Sequence, residues 1–559
     1  MLLKSHVFCP WDYGNINDTN SVKIYYNRLG KYPSTHPQHF MLFNSYIFIF
    51  LFLPITVITF YLLGGHGQNR LALAWLVAAS LFFYGWWNPA YLFIIIGSII
   101  MNYSIGKTLS RQQGHNPSML LLGTGITLNL TLIGYFKYAN FFLENMNVTL
   151  GSHYSLDHII LPLGISFFTF QQIAYLVDAY RGETTNNSFL QYCLFVTFFP
   201  QLIAGPIVHH KEILPQFAQR AIFTFNPENL SVGLTIFTLG LFKKVILADT
   251  LAGYASPVFS AAEQGVTLTF FEAWGGSLAY TFQLYFDFSG YSDMAIGLGR
   301  MLGIRLPLNF NSPYKSVNII DFWRRWHITL SRFLRDYLYF PLGGNRQGTL
   351  CQYRNLFITM LLGGLWHGAG WTFIFWGALH GLFLASNHAW HQVYHRYAFA
   401  RVIKPSRIGK ICAQTFTFLM IVIAWVVFRA ESLETAVSLW QSMAGIHGIS
   451  LPQLLGHAID GYEIWVPAQW IVFDGMFPHN TAPWAFRGTL TLLIAGGIVW
   501  LTPNVAQILH HYNPVIHHDP PSTRIAWHGS PTWAAGIGLL FGLSVLGLGT
   551  ATEFLYFQF

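Results

Sequence analysis

Charged residues are scarce in this sequence. Asp, Glu, Lys and Arg make up 9% of its 559 residues, whereas 53% are hydrophobic. Soluble globular domains carry about a quarter charged residues, so this composition excludes an ordinary water-soluble protein and predicts that lipid surrounds most of the chain. The net charge of +8 is modest for this length. We attribute it to basic cytoplasmic loops that face anionic lipid and not to nucleic-acid binding.

Cysteine is also scarce, and the four cysteines lie far apart, at Cys9, Cys193, Cys351 and Cys412. None belongs to a C-x-x-C pair, so the spacing predicts neither a disulfide framework nor a cysteine-based zinc site. A histidine-rich stretch, HHYNPVIHHDPP, lies in a polar connection near the carboxyl end. A metal site there is the less favoured interpretation, because scattered loop histidines are usually solvated. We predict no metal site and no bound cofactor.

Residues 1–40 lack an apolar period and carry scattered polar side chains. No basic segment is followed there by an apolar core, so they do not form a signal peptide. Met41 then opens the apolar run MLFNSYIFIFLFLPITVITFYLL. We interpret residues 1–40 as a disordered extension or a mispredicted start, with a regulatory segment as the alternative, and residues 41–559 as a single transmembrane domain.

Apolar runs recur from Met41 to the carboxyl end. The first is long enough for a membrane-spanning helix, which needs roughly 20 residues, and about a dozen helical segments are expected in all. No fixed repeat is visible, which argues against a repeat array. The pattern therefore predicts an all-α polytopic membrane protein. The later runs are 71–87, 91–103, 119–136, 159–176, 189–203, 230–255, 270–302, 371–390, 411–427, 488–501 and 532–548.

Lysine and arginine are concentrated between these runs. Such residues accumulate on the cytoplasmic side of membrane proteins, so we predict that the basic loops are cytoplasmic. They contain Lys107, Arg111, Lys211, Arg220, the stretch from Arg300 to Arg354, and the stretch from Arg396 to Lys410.

This topology places His367 inside the membrane region. The chain leaves the cytoplasmic face after Arg354, and the limb 355–366 spans only about 18 Å as a helix, compared with a bilayer core of about 30 Å. A break is expected at His367, where the glycines are Gly363, Gly364, Gly368 and Gly370. Non-helical backbone at such depth must be buried in protein or line a wet cavity. The sequence therefore predicts an internal tunnel with His367 on its wall.

The stretch from Asp321 to Tyr339, DFWRRWHITLSRFLRDYLY, has the pattern of one amphipathic helix on the membrane surface. Asp321 suits an N-cap or the first turn. One side is basic or polar, and the other carries an apolar stripe with His327. The basic side contains Arg324, Arg325, Ser331, Arg332 and Arg335; the stripe contains Trp323, His327, Leu330 and Leu334.

The basic side of this predicted helix suits lipid headgroups or the phosphates of a cytoplasmic donor, such as coenzyme A or a phosphopantetheine carrier. We predict donor binding by Arg324 and Arg325, with Trp323 beside them. His327 shares the apolar stripe and should point into the protein. For this residue, a catalytic or donor-positioning role and a packing role remain equally open.

His367 has the stronger pattern for catalysis. Glycine and other small residues beside it allow a substrate to approach closely, and histidine is the side chain most often used as a general base near neutral pH. An acyl thioester is already a reactive electrophile, so a base that activates an alcohol is the missing part. We predict that His367 is catalytic. His380, in FWGALHG, is predicted to be a packing residue.

Other polar groups lie inside apolar runs. Hydrogen bonding between helices is the commoner role of such groups, and lining of the tunnel is the functional alternative. For that alternative we single out Gln171 and Asp287, together with Trp366, which precedes His367.

These motifs together resemble the membrane-bound O-acyltransferase family. DFWRRWHITLSRFLRDYLYFPLGGNR followed by GLWHGAGWTFIFWGALHG carries the likeness, and LPLGISFFTFQQIAYLVDAYRG, FDFSGYSDMAIGLGRMLGI and EFLYFQF add to it. The resemblance runs from Met41 to Phe559. It is greatest to the bacterial branch that acts in alginate O-acetylation and in D-alanyl transfer to teichoic acid.

The resemblance implies a helical ring around a funnel that joins the two membrane faces, with surface and re-entrant helices. It implies that His367 is catalytic and that His327 lies on the cytoplasmic side. The implied activity moves an acetyl group from a cytoplasmic thioester, acetyl-CoA or another acyl thioester, toward an exported polysaccharide such as alginate. Implied partners are an extracytoplasmic accessory acetyltransferase, the polysaccharide machinery and lipids of the bacterial inner membrane.

Two other functions are compatible with the sequence. One is lipid O-acylation by the same family, which would use a long acyl chain. The other is transport or lipid flipping along an intramembrane polar path, for which paired broken helices in the two halves are expected. No such pair is visible in the sequence.

Overall fold

A computed structural model describes most of the chain. The described residues are 41–112, 118–156, 159–184, 188–396, 406–451, 471–472, 482–516, 521–548 and 555. The predicted extension, residues 1–40, lies outside them, as do parts of the long polar connections.

The described part of the chain is dominated by α-helices. The first twelve are α1 (Leu53–Gly65), α2 (Asn69–Gly85), α3 (Tyr91–Arg111), α4 (Met119–Ile133), α5 (Ala139–Leu150), α6 (Ile165–Tyr180), α7 (Phe189–Thr197), α8 (Phe199–Leu202), α9 (His210–Phe217), α10 (Pro227–Phe242), α11 (Asp249–Glu263) and α12 (Phe270–Met301). The others are α13 (Ile319–Trp323), α14 (Ile328–Leu334), α15 (Thr349–His367), α16 (Trp371–Arg396), α17 (Arg407–Arg429), α18 (Leu433–Met443), α19 (Ala482–Leu501), α20 (Val505–Ile508) and α21 (Pro531–Gly547).

Shorter elements join these helices. The π-helical segments are Phe48–Phe52, Gly134–Tyr138, Lys243–Ala248 and Arg335–Tyr339, and the 3₁₀ turns are Arg220–Phe223, Pro313–Lys315 and His510–Tyr512. In the described ranges, the strands are β1 (Ile449–Ser450) and β2 (Ile471–Val472), which pair in parallel.

The predicted fold class is confirmed. The described residues are 75% helical, and five helical segments among them are long and apolar enough to cross a membrane. The protein is therefore an all-α polytopic membrane protein. These segments are Phe48–Gly65, Tyr91–Arg111, Met119–Leu150, Pro227–Glu263 and Arg407–Arg429.

Helix α12 is the central element of the fold. It is 32 residues long and is buried over most of its length. Its carboxyl half packs in one large apolar core with α1, α2 and α10, while its amino half packs in a second core with α11, α16 and α17. Close approach to α10 requires glycine, because a Cβ atom at Gly290 would lie 2.7 Å from the carbonyl oxygen of Gly240.

A third, smaller apolar cluster lies beside the predicted site. It joins α6, α14 and the carboxyl end of α15 through Phe167, Leu330, Phe333 and Trp366. The Phe170 ring stacks on Phe333 and Trp366, at centroid distances of 4.3 Å and 5.4 Å. This cluster fixes the end of α15 against the segment that carries His327.

Two of the basic loops, the one with Lys211 and Arg220 and the stretch from Arg300 to Arg354, contact each other. Gln216 exchanges two hydrogen bonds with the backbone of Arg305, at 2.9 Å and 3.0 Å. Arg332 forms an ion pair with Glu212, at 2.5 Å. Contacts therefore link α9 both to the loop after α12 and to α14.

The prediction of one continuous helix from Asp321 to Tyr339 is wrong. Helix α13 begins after Asn318, whose side chain accepts a hydrogen bond from the backbone N–H of Asp321, and it ends at Trp323. Asp321 lies in its first turn. The chain turns before α14 begins after His327, whose backbone is left-handed with φ 43°. A left-handed residue cannot continue a right-handed helix, so the amphipathic pattern is divided at His327.

The break beside His367 is present but shorter than predicted. Helix α15 continues through Gly363 and Gly364 to His367, and Gly368 is its extended C-cap. Its 19 residues correspond to about 28 Å, because it begins at Thr349 and not after Arg354. Gly364 instead permits close packing of α16, since a Cβ atom there would lie 2.2 Å from the carbonyl oxygen of Phe373.

Candidate active site

The two predicted histidines lie close together in the structure. The ring centroids of His327 and His367 are 6.4 Å apart. The indole of Trp366 packs against both rings, at centroid distances of 6.1 Å and 4.9 Å. The folded chain therefore forms one site from the residue before α14 and the last residue of α15, which are 40 positions apart in the sequence.

The His327 side chain is fully buried and held by Asn309. Its Nδ1 atom lies 3.1 Å from Asn309 Oδ1, which also accepts from the hydroxyl of Thr329 at 2.9 Å and from the backbone N–H of Thr329 at 3.4 Å. An atom that accepts from a backbone N–H must be the carbonyl oxygen of the asparagine side chain. His327 Nδ1 therefore carries a proton, and in the neutral ring Nε2 carries the lone pair.

Asn309 also holds the backbone at His327. Its carbonyl oxygen accepts a hydrogen bond of 2.9 Å from the N–H of Ile328, while His327 has the unusual φ of 43°. A non-glycine residue in this region is strained and persists only when its surroundings impose the conformation. Asn309 was not predicted from sequence, because nothing local relates a loop asparagine to a histidine 18 residues away.

His367 is held through its backbone. The ammonium of Lys137 donates to the carbonyl oxygens of Trp366 and His367, at 2.5 Å and 3.0 Å, and the Tyr138 hydroxyl donates to that of Leu365, at 2.7 Å. The last carbonyls of a helix have no partner within the helix, so these two side chains complete the end of α15. A cation also interacts favourably with the negative end of the helix dipole.

Lys137 and Tyr138 were missed in the sequence, although a signal was present. The apolar run 119–136 ends immediately before them, but the span in the structure continues from Met119 to Leu150. A lysine inside a membrane span has a functional interpretation by default. Both residues lie in the π-helical segment Gly134–Tyr138, and such segments occur frequently at functional sites.

The imidazole of His367 is surrounded by aromatic rings. In the described part of the chain its ring contacts are with other rings, including Trp376 and Phe428, both at a centroid distance of 5.3 Å. The residue is 8% exposed, whereas His327 is 0% exposed. His367 is therefore the more accessible of the two imidazoles.

His380 belongs to the same aromatic group. It is fully buried, its ring lies 4.7 Å from that of Trp376, and its Nδ1 atom is 3.3 Å from the indole nitrogen of Trp323. The sequence predicted His380 as a packing residue. It did not predict that only one ring, that of Trp376, separates His380 from His367.

Most arginines of the predicted basic surface form ion pairs with acidic side chains of the protein. Arg325 bonds to Asp321 at 2.8 Å, Arg332 to Glu212, and Arg335 to Asp336 at 2.7 Å. Arg324 is exposed and has no ion pair among the described residues. Trp323 points its indole N–H toward His380 and so lies on the site side of α13. Of the three residues predicted to bind the donor, Arg324 is the one that presents an unpaired charge to solvent.

The contacts of Arg332 anchor the segment that carries His327. Its guanidinium bonds both carboxylate oxygens of Glu212, which also accepts a hydrogen bond from the backbone N–H of His209, at 3.3 Å. Burial and the positive charge of Arg332 lower the pKa of His209 to about 4, so this ring is neutral at pH 7. The positive charge of this loop region therefore comes from arginine and lysine.

The three predicted tunnel residues are in different environments. Trp366 lies between the two histidines. Gln171 is buried on the same side of α6 as Phe167 and Phe170, which contact Trp366, and its amide has no partner among the described residues. Asp287 forms an ion pair of 2.8 Å with Lys244. Trp366 is thus in the site, Gln171 lies on a helix face that reaches Trp366, and Asp287 joins α12 to the π segment Lys243–Ala248.

The arrangement can take up a proton and bind polar groups in an apolar enclosure. His367 offers an accessible imidazole, and His327 offers a lone pair on Nε2 that has no partner among the described residues. No cluster of three His, Cys, Asp or Glu side chains suited to a metal ion occurs in the described part of the chain.

Comparison with known proteins relates this chain to acyltransferases. A model of the membrane-bound O-acyltransferase family matches residues 118–429, which include both histidines, Lys137 and Asn309. The chain is 48% identical over 440 residues to the peptidoglycan O-acetyltransferase of Helicobacter pylori, covering 74% of this chain and 82% of that protein.

Two further relatives extend the comparison. The probable alginate O-acetylase of Pseudomonas aeruginosa is 44% identical over 547 residues, covering 93% of this chain and 100% of that protein. The teichoic acid D-alanyltransferase of Streptococcus thermophilus is 28% identical over 345 residues, covering 60% of this chain and 75% of that protein. Together with the helical fold, these matches make the protein an O-acyltransferase of the bacterial inner membrane. The chain belongs to the membrane-bound O-acyltransferase family.

Proposed function

We propose that this protein moves an acetyl group from a cytoplasmic acyl thioester toward the hydroxyl groups of an exported polysaccharide, with His367 as the general base. The observation that carries the proposal is the position of His367. It is the last residue of α15, its backbone is fixed by Lys137, and its imidazole is the more accessible of the two that meet in the interior.

The reaction needs one proton acceptor. His367 takes the proton of the acceptor hydroxyl while the hydroxyl oxygen attacks the thioester carbonyl carbon. The tetrahedral intermediate then collapses, the C–S bond breaks, and the thiolate receives the proton from the imidazolium of His367. The products are an acetyl ester and a free thiol, and His367 returns to its neutral form. General-base catalysis typically contributes 10²–10⁴-fold to the rate.

His327 supports this step as a fixed hydrogen-bonding group. Because Asn309 holds the proton on Nδ1, Nε2 presents a lone pair to a donor group of the substrate, such as a hydroxyl or an amide N–H. Acetyl-CoA and phosphopantetheine thioesters both contain amide N–H groups. A role in orientation predicts that the loss of His327 is less severe than the loss of His367.

Charge and the names of the relatives support the proposed donor and the proposed direction of transfer. Arg324 is exposed, and an exposed arginine suits the phosphates of a cytoplasmic donor. The relatives are named for O-acetylation of peptidoglycan and alginate, and both polymers carry sugar hydroxyls outside the cytoplasm. An accessory extracytoplasmic acetyltransferase and the polysaccharide machinery are the proposed partners.

The test supplies radiolabelled acetyl-CoA to the cytoplasmic face of membrane vesicles that contain the wild type or His367→Gln. We expect label in extracytoplasmic polysaccharide with the wild type and at least a 100-fold lower rate with His367→Gln, at equal abundance. His66→Gln is the matched control, since His66 is exposed at the end of α1. Acetylation by His367→Gln at the wild-type rate would refute the proposed base.

The same assay separates the alternative functions. Palmitoyl-CoA replaces acetyl-CoA in a second arm, and the lipid and polymer fractions are counted separately. Label in lipid from the long-chain donor supports lipid O-acylation. Movement of a labelled lipid or sugar across the membrane without ester formation supports transport. Mass spectrometry of the labelled polymer then distinguishes a peptidoglycan glycan strand from an exopolysaccharide.

A further inference from the structure

Three buried N–H groups in the aromatic group around His367 have no hydrogen-bond acceptor among the described residues. They are the indole N–H groups of Trp366 and Trp376 and the Nε2 atom of His380. The side chains are 6%, 1% and 0% exposed, respectively, so bulk water does not satisfy them. Buried polar groups in folded proteins almost always have partners, and an exception calls for an explanation.

The proton position on His380 follows from its neighbour. An indole nitrogen is a donor only, and that of Trp323 lies 3.3 Å from His380 Nδ1. Nδ1 must therefore accept, which places the proton of the neutral ring on Nε2. His380 thus has an unused donor at Nε2, whereas His327 has an unused acceptor there.

The three donors belong to one continuous series of ring contacts that passes through His367. Trp366 lies 4.9 Å from His367, His367 lies 5.3 Å from Trp376, and Trp376 lies 4.7 Å from His380, between ring centroids. Trp376 and His380 are four residues apart on α16 and so share one helix face. The aromatic group next to the imidazole is therefore rich in donors.

Donors without acceptors favour a ligand that brings only an acceptor. Phenylalanine in place of either tryptophan would give a similar aromatic surface without a buried, unpaired N–H. A thioester carbonyl oxygen is such an acceptor, and its negative charge grows when an alcohol attacks the carbonyl carbon. Donors that are fixed before the reaction stabilise this charge in a dry enclosure, and loss of one typically lowers kcat by about 10²–10³-fold.

We propose that the N–H groups of His380, Trp376 and Trp366 form a subsite for the carbonyl oxygen of the acyl thioester. This subsite rests on the proposed acyl transfer and adds the groups that bind the oxyanion. His367 handles the proton, and the three donors carry the negative charge of the tetrahedral intermediate. His380 and Trp376 are then catalytic residues and not packing residues.

The first test compares kinetics with stability in purified protein. Trp376→Phe and His380→Leu remove a donor and keep an apolar side chain. We expect kcat to fall by about 10²–10³-fold for each, with the donor KM changed less than threefold. The melting temperature should stay level or rise, because a buried unpaired N–H is lost. His380→Gln keeps an N–H donor and should recover part of kcat.

Trp440→Phe is the matched control. The indole of Trp440 donates to the carbonyl oxygen of Ile423, at 3.1 Å, so its N–H already has a partner. This variant should lower the melting temperature and leave kcat unchanged. Wild-type kcat in both Trp376→Phe and His380→Leu would overturn the subsite. A fall in kcat that is accompanied by a lower melting temperature in both variants would also overturn it, because destabilisation would then explain the loss.

The second test does not depend on turnover. His367→Ala is loaded with acetyl-CoA labelled with ¹³C at the carbonyl, and the carbonyl stretch is recorded by isotope-edited infrared spectroscopy. We expect a shift to lower frequency relative to free acetyl-CoA, and its loss in His367→Ala combined with His380→Leu. The same frequency in both proteins would contradict the subsite. Failure of the proposed function is recognised separately, as a wild-type protein that transfers no acetyl group.

Discussion

His327 and His367 lie side by side, but the fold holds them in different ways. His327 is fixed by its side chain, through Asn309, and has a strained backbone. His367 has an ordinary helical backbone that is fixed by Lys137 and Tyr138, and its ring makes contacts with other rings. One imidazole therefore has a set proton position, whereas the other is free of side-chain hydrogen bonds in the described part of the chain.

This difference suits two roles. A general base has to reach the acceptor hydroxyl, and His367 is 8% exposed whereas His327 is 0% exposed. A group that orients a substrate benefits from a fixed tautomer, because its lone pair is always presented in one direction. The comparison therefore supports the proposed proton transfer by His367 and the proposed orientation by His327.

The largest effect is expected at His367 itself. His367→Ala should accumulate normally in the membrane and lower acetyl transfer by roughly 10²–10⁴-fold, whereas His327→Ala should be the milder lesion. Rates are measured in membranes that contain equal amounts of protein. A more severe loss in His327→Ala than in His367→Ala would reverse the assignment of roles.

Loss of the hydrogen bonds that Lys137 makes to the carboxyl end of α15 should have the next largest effect. Lys137→Met removes the ammonium that binds the carbonyls of Trp366 and His367. A displacement of about 1 Å at a reacting group can lower the rate about 100-fold, so we expect a fall in kcat of up to that size with little change in donor KM. Lys137→Arg keeps the charge and should retain most activity.

Lys107→Met, at an exposed position on α3, is the control for the loss of a lysine. An equal loss of activity in Lys137→Arg and Lys137→Met would show that bulk, and not hydrogen bonding to the helix end, is what matters at this position.

Asn309→Leu should disturb the hydrogen bonds that hold His327. It leaves three donors without an acceptor, namely His327 Nδ1 and the N–H and hydroxyl of Thr329, at a cost of roughly 1–3 kcal/mol for each buried group. We expect a lower melting temperature together with a fall in activity. Asn129→Leu is matched to it, because Asn129 is also buried and forms paired hydrogen bonds with Asn102. Asn129→Leu should lower the melting temperature, while the folded protein that remains keeps its donor KM.

A smaller effect is expected on the outer side of α13. Arg324→Ala combined with Arg325→Ala should raise the donor KM while insertion into the membrane stays normal, because phosphates would lose a cationic partner. Arg325 is paired with Asp321, so most of this change should appear in Arg324→Ala alone. An unchanged donor KM in the double variant would show that this surface contacts lipid and not the donor.

No loss of activity is expected when residues 1–40 are removed. These residues lie outside the described part of the chain, and their polar composition remains the basis of this prediction. A protein that begins at Met41 should insert and acetylate at the wild-type rate. Reduced activity at equal membrane abundance would support a regulatory segment.

Composition and periodicity determined much of this protein. Scarce charge and long apolar runs identified a polytopic helical membrane protein, because lipid leaves few alternatives to a helix. The basic residues between the apolar runs predicted loops on one shared side, of which two are in contact, and the glycines around His367 indicated a break. His367 was recognisable because an ionisable side chain in an apolar region is a functional hypothesis by default.

Tertiary structure decided how those histidines are held. The sequence pattern from Asp321 to Tyr339 favours one helix, but hydrogen bonds that Asn309 accepts stabilise a left-handed residue at His327, which divides the helix. Lys137 and His380 joined the site through contacts between segments that are distant in sequence. Such contacts leave no local period, since hydrogen bonds and ring packing depend on positions in space and not on spacing along the chain.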